Sequence, residues 1–247
     1  MRDLSEYRSP KTLSLLAVGG LSVMALTSVL SVVLGAVQIA SPDSVVDLDG
    51  ESADSLWLLL QGLVYLVRFP AYIATVVVFL MWLNRANKNL SALQAPAVEF
   101  SSGWAVSWWF IPFANLVKPY QVVREVWWDS DPDFDEEPTF LSASLKTAPT
   151  FVGVWWGFWI ASNIFENISS RAFDLDSIAN TEIGGMLFIV SGVLSAVAAW
   201  LAVKVVRDIT GRQDQRIVAV RSRSTNLPPP PPSFDGGFPS GSGEQQH

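Results

Sequence analysis

The sequence predicts an all-α membrane protein with four transmembrane helices plus a cytoplasmic aromatic interfacial or re-entrant helix. Three observations lead to this prediction: four long apolar runs, a charged fraction of only 16%, and a one-sided distribution of lysine and arginine. Soluble domains average about 25% charged residues. The deficit therefore indicates a chain that exposes much of its surface to lipid.

Each apolar run is long enough to cross a bilayer as a helix. At about 1.5 Å rise per residue, a hydrocarbon core of about 30 Å requires about 20 residues. The first run is too long for a signal peptide, and Gln38 before Ala40 makes a poor small-x-small cleavage site, so we expect a retained helix. The four predicted spans are residues 13–40, 56–83, 148–168 and 183–206.

The positions of Lys and Arg predict the orientation, because cytoplasmic loops carry an excess of these residues whereas Asp and Glu contribute little. Nearly all 16 basic residues lie in the first 12 residues, in the large loop 84–147, or from Lys204 onward. The two short loops contain only Arg171. This distribution predicts a multi-pass protein of the cell membrane with both termini and the large loop in the cytoplasm.

The chain divides into three predicted parts. Residues 1–12 form a cytoplasmic N-terminal arm, and residues 13–210 form the four-span membrane domain. Residues 211–247 form a disordered, proline-rich cytoplasmic tail that contains five consecutive prolines, Pro228–Pro232. Such a segment buries too little apolar surface to fold, and its proline run favours extended polyproline II.

The composition argues against most kinds of enzyme. The chain has no Cys and a single His, His247 at its last position, so thiolate nucleophiles and Cys or His metal sites lack support. No glycine-rich phosphate loop is present, and the acidic large loop disfavours nucleic-acid binding. We therefore expect no enzymatic activity, no cofactor, no metal and no nucleic-acid partner.

A polar site is predicted in the outer half of the membrane. Arg68 lies inside the second apolar run, where a cation usually faces the bundle interior, a wet cavity or a partner. Arg68 and Asn163 each lie about 22 Å from the cytoplasmic ends of their helices, and Glu166 lies about 27 Å from its own. We expect Arg68 to pair with Glu166 near Asn163. A structural ion pair, or an Arg68 that reaches the outer headgroups, is the alternative to a binding site.

The most distinctive stretch runs from Trp82 to Tyr120. Its prolines prevent an uninterrupted span, and its aromatic residues suit the cytoplasmic interface or a shallow re-entrant insertion. The interfacial signature consists of Trp82, Trp104, Trp109, Phe110, Pro112 and Pro119. Arg85, Asn89 and Asn115 either hold this stretch in place or form a polar pocket for a lipid headgroup or small ligand.

The spacing of these residues resembles that of a known family. The pattern is W-x-x-R-x-x-x-N, then W-A-V, then W-F-I-P-x-x-N-L-x-x-P-Y, between residues 82 and 120. It resembles a family of bacterial integral membrane proteins known only as a domain of unknown function, over roughly residues 55–210. The arm and the tail are similar to those of actinobacterial members. The resemblance implies a membrane location and four spans, and it implies no reaction.

Two functions are compatible with these features. The first is a non-enzymatic scaffold or accessory protein that binds membrane lipids, a membrane-protein partner or a second copy of the chain. The alternative is a small transporter or channel subunit with a polar site around Arg68 and Glu166. Transport requires a polar path across the whole membrane, and the polar residues of the spans lie in the outer half only. This favours the first function.

Overall fold

The computed structural model describes residues 4–40, 52–95, 98–133, 149–173 and 178–225. Within these ranges the chain forms only helices, which confirms the all-α prediction. The α-helices are α1 (Lys11–Ala40), α2 (Ser52–Ala92), α3 (Ser102–Ser107), α4 (Lys118–Asp129), α5 (Thr150–Phe173) and α6 (Ile178–Thr225). Two short 3-10 helices, Leu4–Glu6 and Ala114–Leu116, complete the described structure.

In the described chain, three helices are long and apolar enough to cross a membrane. The candidate spans are Lys11–Val37 in α1, Gly62–Ala92 in α2 and Ile183–Ser224 in α6. The third predicted span, residues 148–168, corresponds to α5, which is not among them. With 24 residues, α5 is about 36 Å long, but Asn163 and Glu166 interrupt its apolar surface. The structure therefore supports three of the four predicted spans.

Helix α6 has the most extensive packing of the described helices. It packs along α1 on one side and along α5 on the other, and α1 also packs against α2. Small residues permit this close packing: a Cβ atom on Gly192 of α6 would lie only 2.6 Å from Cγ2 of Val32 on α1. Small side chains let helix backbones approach in lipid. The contacts α2–α1, α1–α6 and α6–α5 are closed by one between α2 and α5, whose Phe79 and Trp155 rings lie 6.3 Å apart.

Four segments meet at one end of the bundle: the N-terminal arm, the end of α2, the start of the loop after α4 and the last part of α6. Nδ2 of Asn89 donates hydrogen bonds to the carbonyl oxygen of Arg8 and to Oε1 of Gln213, each at 3.0 Å. Nε2 of Gln213 donates to the Ala86 carbonyl at 2.8 Å and to Oγ of Ser130 at 3.1 Å. The three basic segments that the sequence assigns to one side of the membrane are therefore gathered at one end of the fold.

Helix α2 continues beyond the predicted end of its span, residue 83, to Ala92. It ends in a Schellman motif, in which the Ala95 N–H donates to the Leu90 carbonyl at 3.0 Å. Gln94 has a φ of 58° and takes the left-handed position that glycine usually occupies at a helix end. The first residues of the predicted loop 84–147 are thus helical.

Helix α6 also extends past a predicted boundary, because it reaches Thr225 whereas the tail was expected to begin at residue 211. Arg216 is only 3% exposed, and its Nε and Nη1 donate to the carbonyl oxygens of Leu93 and Asp131, each at 2.8 Å. The other buried residues of this extension are Gln213, Ile217 and Val220. Packing against the folded loop explains why the helix continues. The predicted disorder of 226–247 lies outside the described residues.

Part of the large loop folds onto the bundle. Helix α4 is amphipathic, and its residues Val122, Val123 and Val126 are fully buried. Pro119 lies in the first turn of α4. Backbone N–H groups there have no partner within the helix, so the N–H that proline lacks is not needed. Helix α4 therefore forms the C-terminal end of the folded part of the loop that begins with α3.

Candidate functional site

Residues 104–117, here called the aromatic loop, pack against both α2 and α5. The Trp109 ring meets the Phe79 ring of α2 edge-on at 5.4 Å and the Trp156 ring of α5 at 5.6 Å. Nε1 of Trp156 donates a 2.9 Å hydrogen bond to the Leu116 carbonyl. Aromatic pairs in this edge-to-face arrangement stabilise a contact beyond the area that they bury. The loop is thereby attached to both α2 and α5.

The aromatic loop reaches well along the long helices. Its contact on α2, Phe79, lies about 20 Å before the end of that helix, and Trp156 lies about 9 Å from the start of α5. At the tip, the side chains of Phe110 and Phe113 are 69% and 87% exposed. Phe113 has a φ of 61°, which costs a residue other than glycine about 1–3 kcal/mol. The loop thus presents apolar side chains outward, at the level of a candidate span.

The remaining signature residues have different surroundings. Trp82 is fully buried, and its Nε1 donates to Oγ1 of Thr210 on α6 at 3.1 Å. Trp104 is half exposed, Pro112 is exposed and Pro119 is buried. Trp82 is thus part of the helical core and not of an interfacial surface.

A cavity of about 810 Å³ opens where the N-terminal arm meets α2. Leu13, Leu80 and Met81 contribute to its apolar wall. Its polar residues are Glu6, Arg8, Asn84, Arg85, Lys88 and Asn89. Three cations face one carboxylate, so the electrostatic potential here is positive. We refer to this as the basic cavity.

The structure brings together two of the three residues that were expected to form a pocket. Arg85 and Asn89 line the basic cavity, whereas Asn115 lies in the aromatic loop. Asn89 is 1% exposed, and its carboxamide binds the backbone of Arg8 and the side chain of Gln213. Asn89 therefore positions the arm, while Arg85 supplies charge to the cavity.

Sequence reasoning missed Arg8 and Lys88 as members of this site. Lys88 is adjacent to the signature and follows Arg85 by three residues, so both lie on the same side of α2. Arg8 joins them because the arm folds back onto Asn89, whose Oδ1 accepts the Arg8 N–H at 3.3 Å. The one-sided distribution of basic residues was the available signal, but it did not identify which of them converge.

Arg68 and Glu166 do not form the predicted pair in the described structure. Nη1 of Arg68 donates to Oγ of Ser31 on α1 at 3.5 Å, and Glu166 is exposed on α5. Asn163 donates to the Trp159 carbonyl of its own helix at 2.6 Å. Equal depth along two helices did not bring the two side chains together, because Arg68 faces α1 whereas Glu166 is exposed on α5.

One carboxyl group on α4 has a perturbed acidity. The Glu125 carboxylate accepts hydrogen bonds from the backbone N–H groups of Glu99 and Phe100, the second at 3.3 Å. Burial raises the pKa of Glu125 to about 7, against the opposing effect of these hydrogen bonds. The nearby carboxylates of Asp129 and Glu99 also raise the pKa. Glu125 is therefore a proton-binding group where α4 meets the segment before α3.

Among the described residues there is no group of three or more His, Cys, Asp or Glu side chains that could hold a metal ion. Three candidate spans and a cavity with a basic rim and an apolar wall indicate a multi-pass helical membrane protein. Residues 50–211 match the model of a family described as a domain of unknown function, DUF4328, and the chain belongs to that family.

The matched range agrees with the resemblance over roughly residues 55–210, and it runs from the start of α2 into α6. The actinobacterial origin and the signature spacing remain predictions. Comparisons with curated proteins and with solved structures give no match.

Proposed function

We propose that this protein is a non-enzymatic accessory protein of the cell membrane that binds an anionic phospholipid in the basic cavity. The observation that carries the proposal is the composition of this cavity. Arg8, Arg85 and Lys88 supply positive charge, and Leu80 and Met81 belong to its apolar wall. Basic pockets between helices bind anionic headgroups, with about 1 kcal/mol for each Lys or Arg near the surface.

The position of the cavity supports this ligand. It lies toward the end of α2 where the helix leaves the predicted membrane core, so a phosphate at Arg85 and Lys88 is at headgroup level. Met81, one helical turn earlier, is 53% exposed and offers an apolar surface to an acyl chain. A soluble anion would use the charges but not this surface. A phospholipid uses both.

The proposal includes a topology. Both termini lie in the cytoplasm, α5 is a fourth span in addition to the three candidate spans, and the aromatic loop is re-entrant. The packing of α5 along α6 supports the fourth span, and the outward-facing Phe110 and Phe113 support a tip in lipid. Irregular backbone at membrane depth is tolerated where it packs on protein, and the contacts of Trp109 and Leu116 supply that packing.

The transporter or channel alternative has less support. It depends on a shared polar site around Arg68 and Glu166, and Glu166 is exposed on α5. Arg68 bonds to Ser31 instead. A membrane-protein partner or a second copy of the chain is compatible with lipid binding but is not needed for it.

Lipid retention by the purified full chain tests the proposal. We expect native mass spectrometry in mild detergent to show phosphatidylglycerol bound in preference to zwitterionic phosphatidylcholine. The double variant Arg85→Gln/Lys88→Gln should weaken this binding about 30-fold, from about 1 kcal/mol for each lost charge. Arg207→Gln removes an exposed arginine of α6 that does not line the cavity, and it should bind as the wild type does.

Three results would contradict the proposal. The first is equal retention of the two phospholipids, and the second is an equal loss of binding in Arg207→Gln. The third is competition by glycerol phosphate as effective as that of the lipid, which would assign the cavity to a free anion. High salt should weaken phosphatidylglycerol binding, because salt screens partly exposed charges.

A further inference from the structure

We propose that a second cavity, at the centre of the bundle, binds an uncharged lipid that carries a hydroxyl group. This central cavity has a volume of about 280 Å³ and lies between α1, α2, α5, α6 and the aromatic loop. Among the described residues, Leu80 alone lines both this cavity and the basic cavity. The inference is independent of phospholipid binding, because it depends on different residues and a different chemistry.

The central cavity lies within the membrane part of the fold. Leu21 of α1 is one of its lining residues and lies about 15 Å from the start of that helix, half the thickness of a hydrocarbon core of about 30 Å. Tyr72 and Phe110 also line the cavity, and they are 47% and 69% exposed on the outside of the bundle. The cavity is therefore accessible from the side, where a molecule dissolved in the bilayer would enter.

The chemistry of the wall excludes a charged ligand group. Phe79, Trp155, Trp159 and Ala198 contribute apolar surface, and none of the described lining residues is charged. A charged headgroup moved into such a site would lose its hydration without gaining a counter-ion, which is strongly unfavourable. The part of the ligand that enters this cavity is therefore uncharged and mostly hydrocarbon.

Two lining residues require a hydrogen-bonding group on the ligand. Nε1 of Trp109 and Oδ1 of Asn115 are shielded from solvent and have no hydrogen-bond partner in the described part of the chain. Buried polar atoms in native proteins nearly always have a partner. An indole N–H only donates and a carboxamide oxygen only accepts, whereas a hydroxyl group does both. A lipid alcohol such as a diacylglycerol therefore meets both requirements.

Photo-crosslinking of the purified full chain tests this inference. The probe is a diacylglycerol with a diazirine in one acyl chain, and phosphatidic acid with the same chains is the charged comparison. We expect the diacylglycerol to label wall peptides of α5 and α6, and unlabelled diacylglycerol to compete. Ala199→Phe fills the cavity from α6 and should abolish this labelling. Val193→Phe adds the same group at a residue that is 47% exposed on α6, outside the cavity, and should leave labelling unchanged.

A second variant keeps the test decisive if Ala199→Phe does not fold. Asn115→Leu keeps the branched shape and the number of heavy atoms, removes the buried acceptor, and should weaken diacylglycerol labelling about fivefold, the effect of one hydrogen bond. Labelling of folded Ala199→Phe or Asn115→Leu at the wild-type level would overturn the proposed site. Equal labelling by phosphatidic acid would overturn the uncharged ligand.

The two proposals fail separately. Arg85→Gln/Lys88→Gln should leave diacylglycerol labelling intact, and Ala199→Phe should leave phosphatidylglycerol retention intact. Loss of diacylglycerol labelling in the double variant would overturn the independence of the central cavity.

Discussion

Trp156 of α5 donates a hydrogen bond from Nε1 to the carbonyl oxygen of Leu116, with a distance of 2.9 Å. Leu116 ends the short 3-10 helix of the aromatic loop, where the backbone lacks the regular hydrogen bonds of an α-helix. In a membrane no water is available to bind such a carbonyl group. The side chain of α5 therefore supplies the partner that makes this irregular segment compatible with the re-entrant position that we propose for it.

We expect Trp156→Phe to lower the free energy of unfolding by about 1 kcal/mol, because it removes the hydrogen bond and keeps an aromatic ring. Unfolding titrated with SDS in mixed micelles measures this change, and limited proteolysis should show greater cleavage at residues 108–117. Trp200→Phe is the matched control, since Trp200 is 65% exposed. An equal loss of unfolding free energy in Trp156→Phe and Trp200→Phe would show that the Trp156 hydrogen bond has no special role.

Gln213 should be among the most sensitive positions of α6. It is fully buried, and its carboxamide binds Asn89, Ala86 and Ser130. Gln213→Leu leaves several of these groups unpaired, so we expect a loss of about 3 kcal/mol in the free energy of unfolding. Gln215→Leu changes an exposed glutamine of the same helix and should change the free energy of unfolding little. The hypothesis of a buried network fails if the two variants unfold alike in SDS titrations.

Stability should depend on pH through Glu125. Its pKa is raised from an ordinary value of 4.5 to about 7, so the folded chain retains a proton that the unfolded chain has released in this window. By linkage, stability then falls as pH rises. The stabilisation that comes from the proton on Glu125 is complete below pH 4.5 and is lost as pH increases through about 7.

The variant Glu125→Gln should show a flatter dependence of unfolding free energy on pH between pH 5 and 8 than the wild type. Asp133→Asn, at an exposed carboxylate after α4, is the control and should follow the wild type. If the unfolding free energy of the wild type and of Glu125→Gln changed with pH at the same slope, the assignment of this proton to Glu125 would be contradicted.

Arg216 should not be replaceable by lysine. Its Nε and Nη1 bind two different carbonyl groups, those of Leu93 and Asp131, and a lysine has a single nitrogen without the planar geometry needed for both. We expect Arg216→Lys to lower the free energy of unfolding by about 2 kcal/mol. Arg223→Lys, at an exposed position of the same helix, provides the comparison. Equal stability of the two variants would show that one nitrogen suffices.

The sequence alone was sufficient to predict the class of this protein. The run 13–40 predicted a helix that the structure places at Lys11–Ala40. The spacing of Trp, Pro and Asn between residues 82 and 120 indicated a family of unknown function, and the chain belongs to such a family. These predictions succeed because hydrophobicity, helix length and local spacing are properties of neighbouring residues.

Only the tertiary structure decided which distant residues meet. Arg68 and Glu166 have similar depths, yet Arg68 bonds to Ser31 because α1 is the neighbour of α2. Arg8 joins Arg85 in the basic cavity because Asn89 binds the folded-back arm. Helix neighbours depend on how side chains of several helices fit together in lipid, and this information is distributed over the whole chain. The pattern within each helix therefore determined the helices themselves, and packing between them determined both cavities.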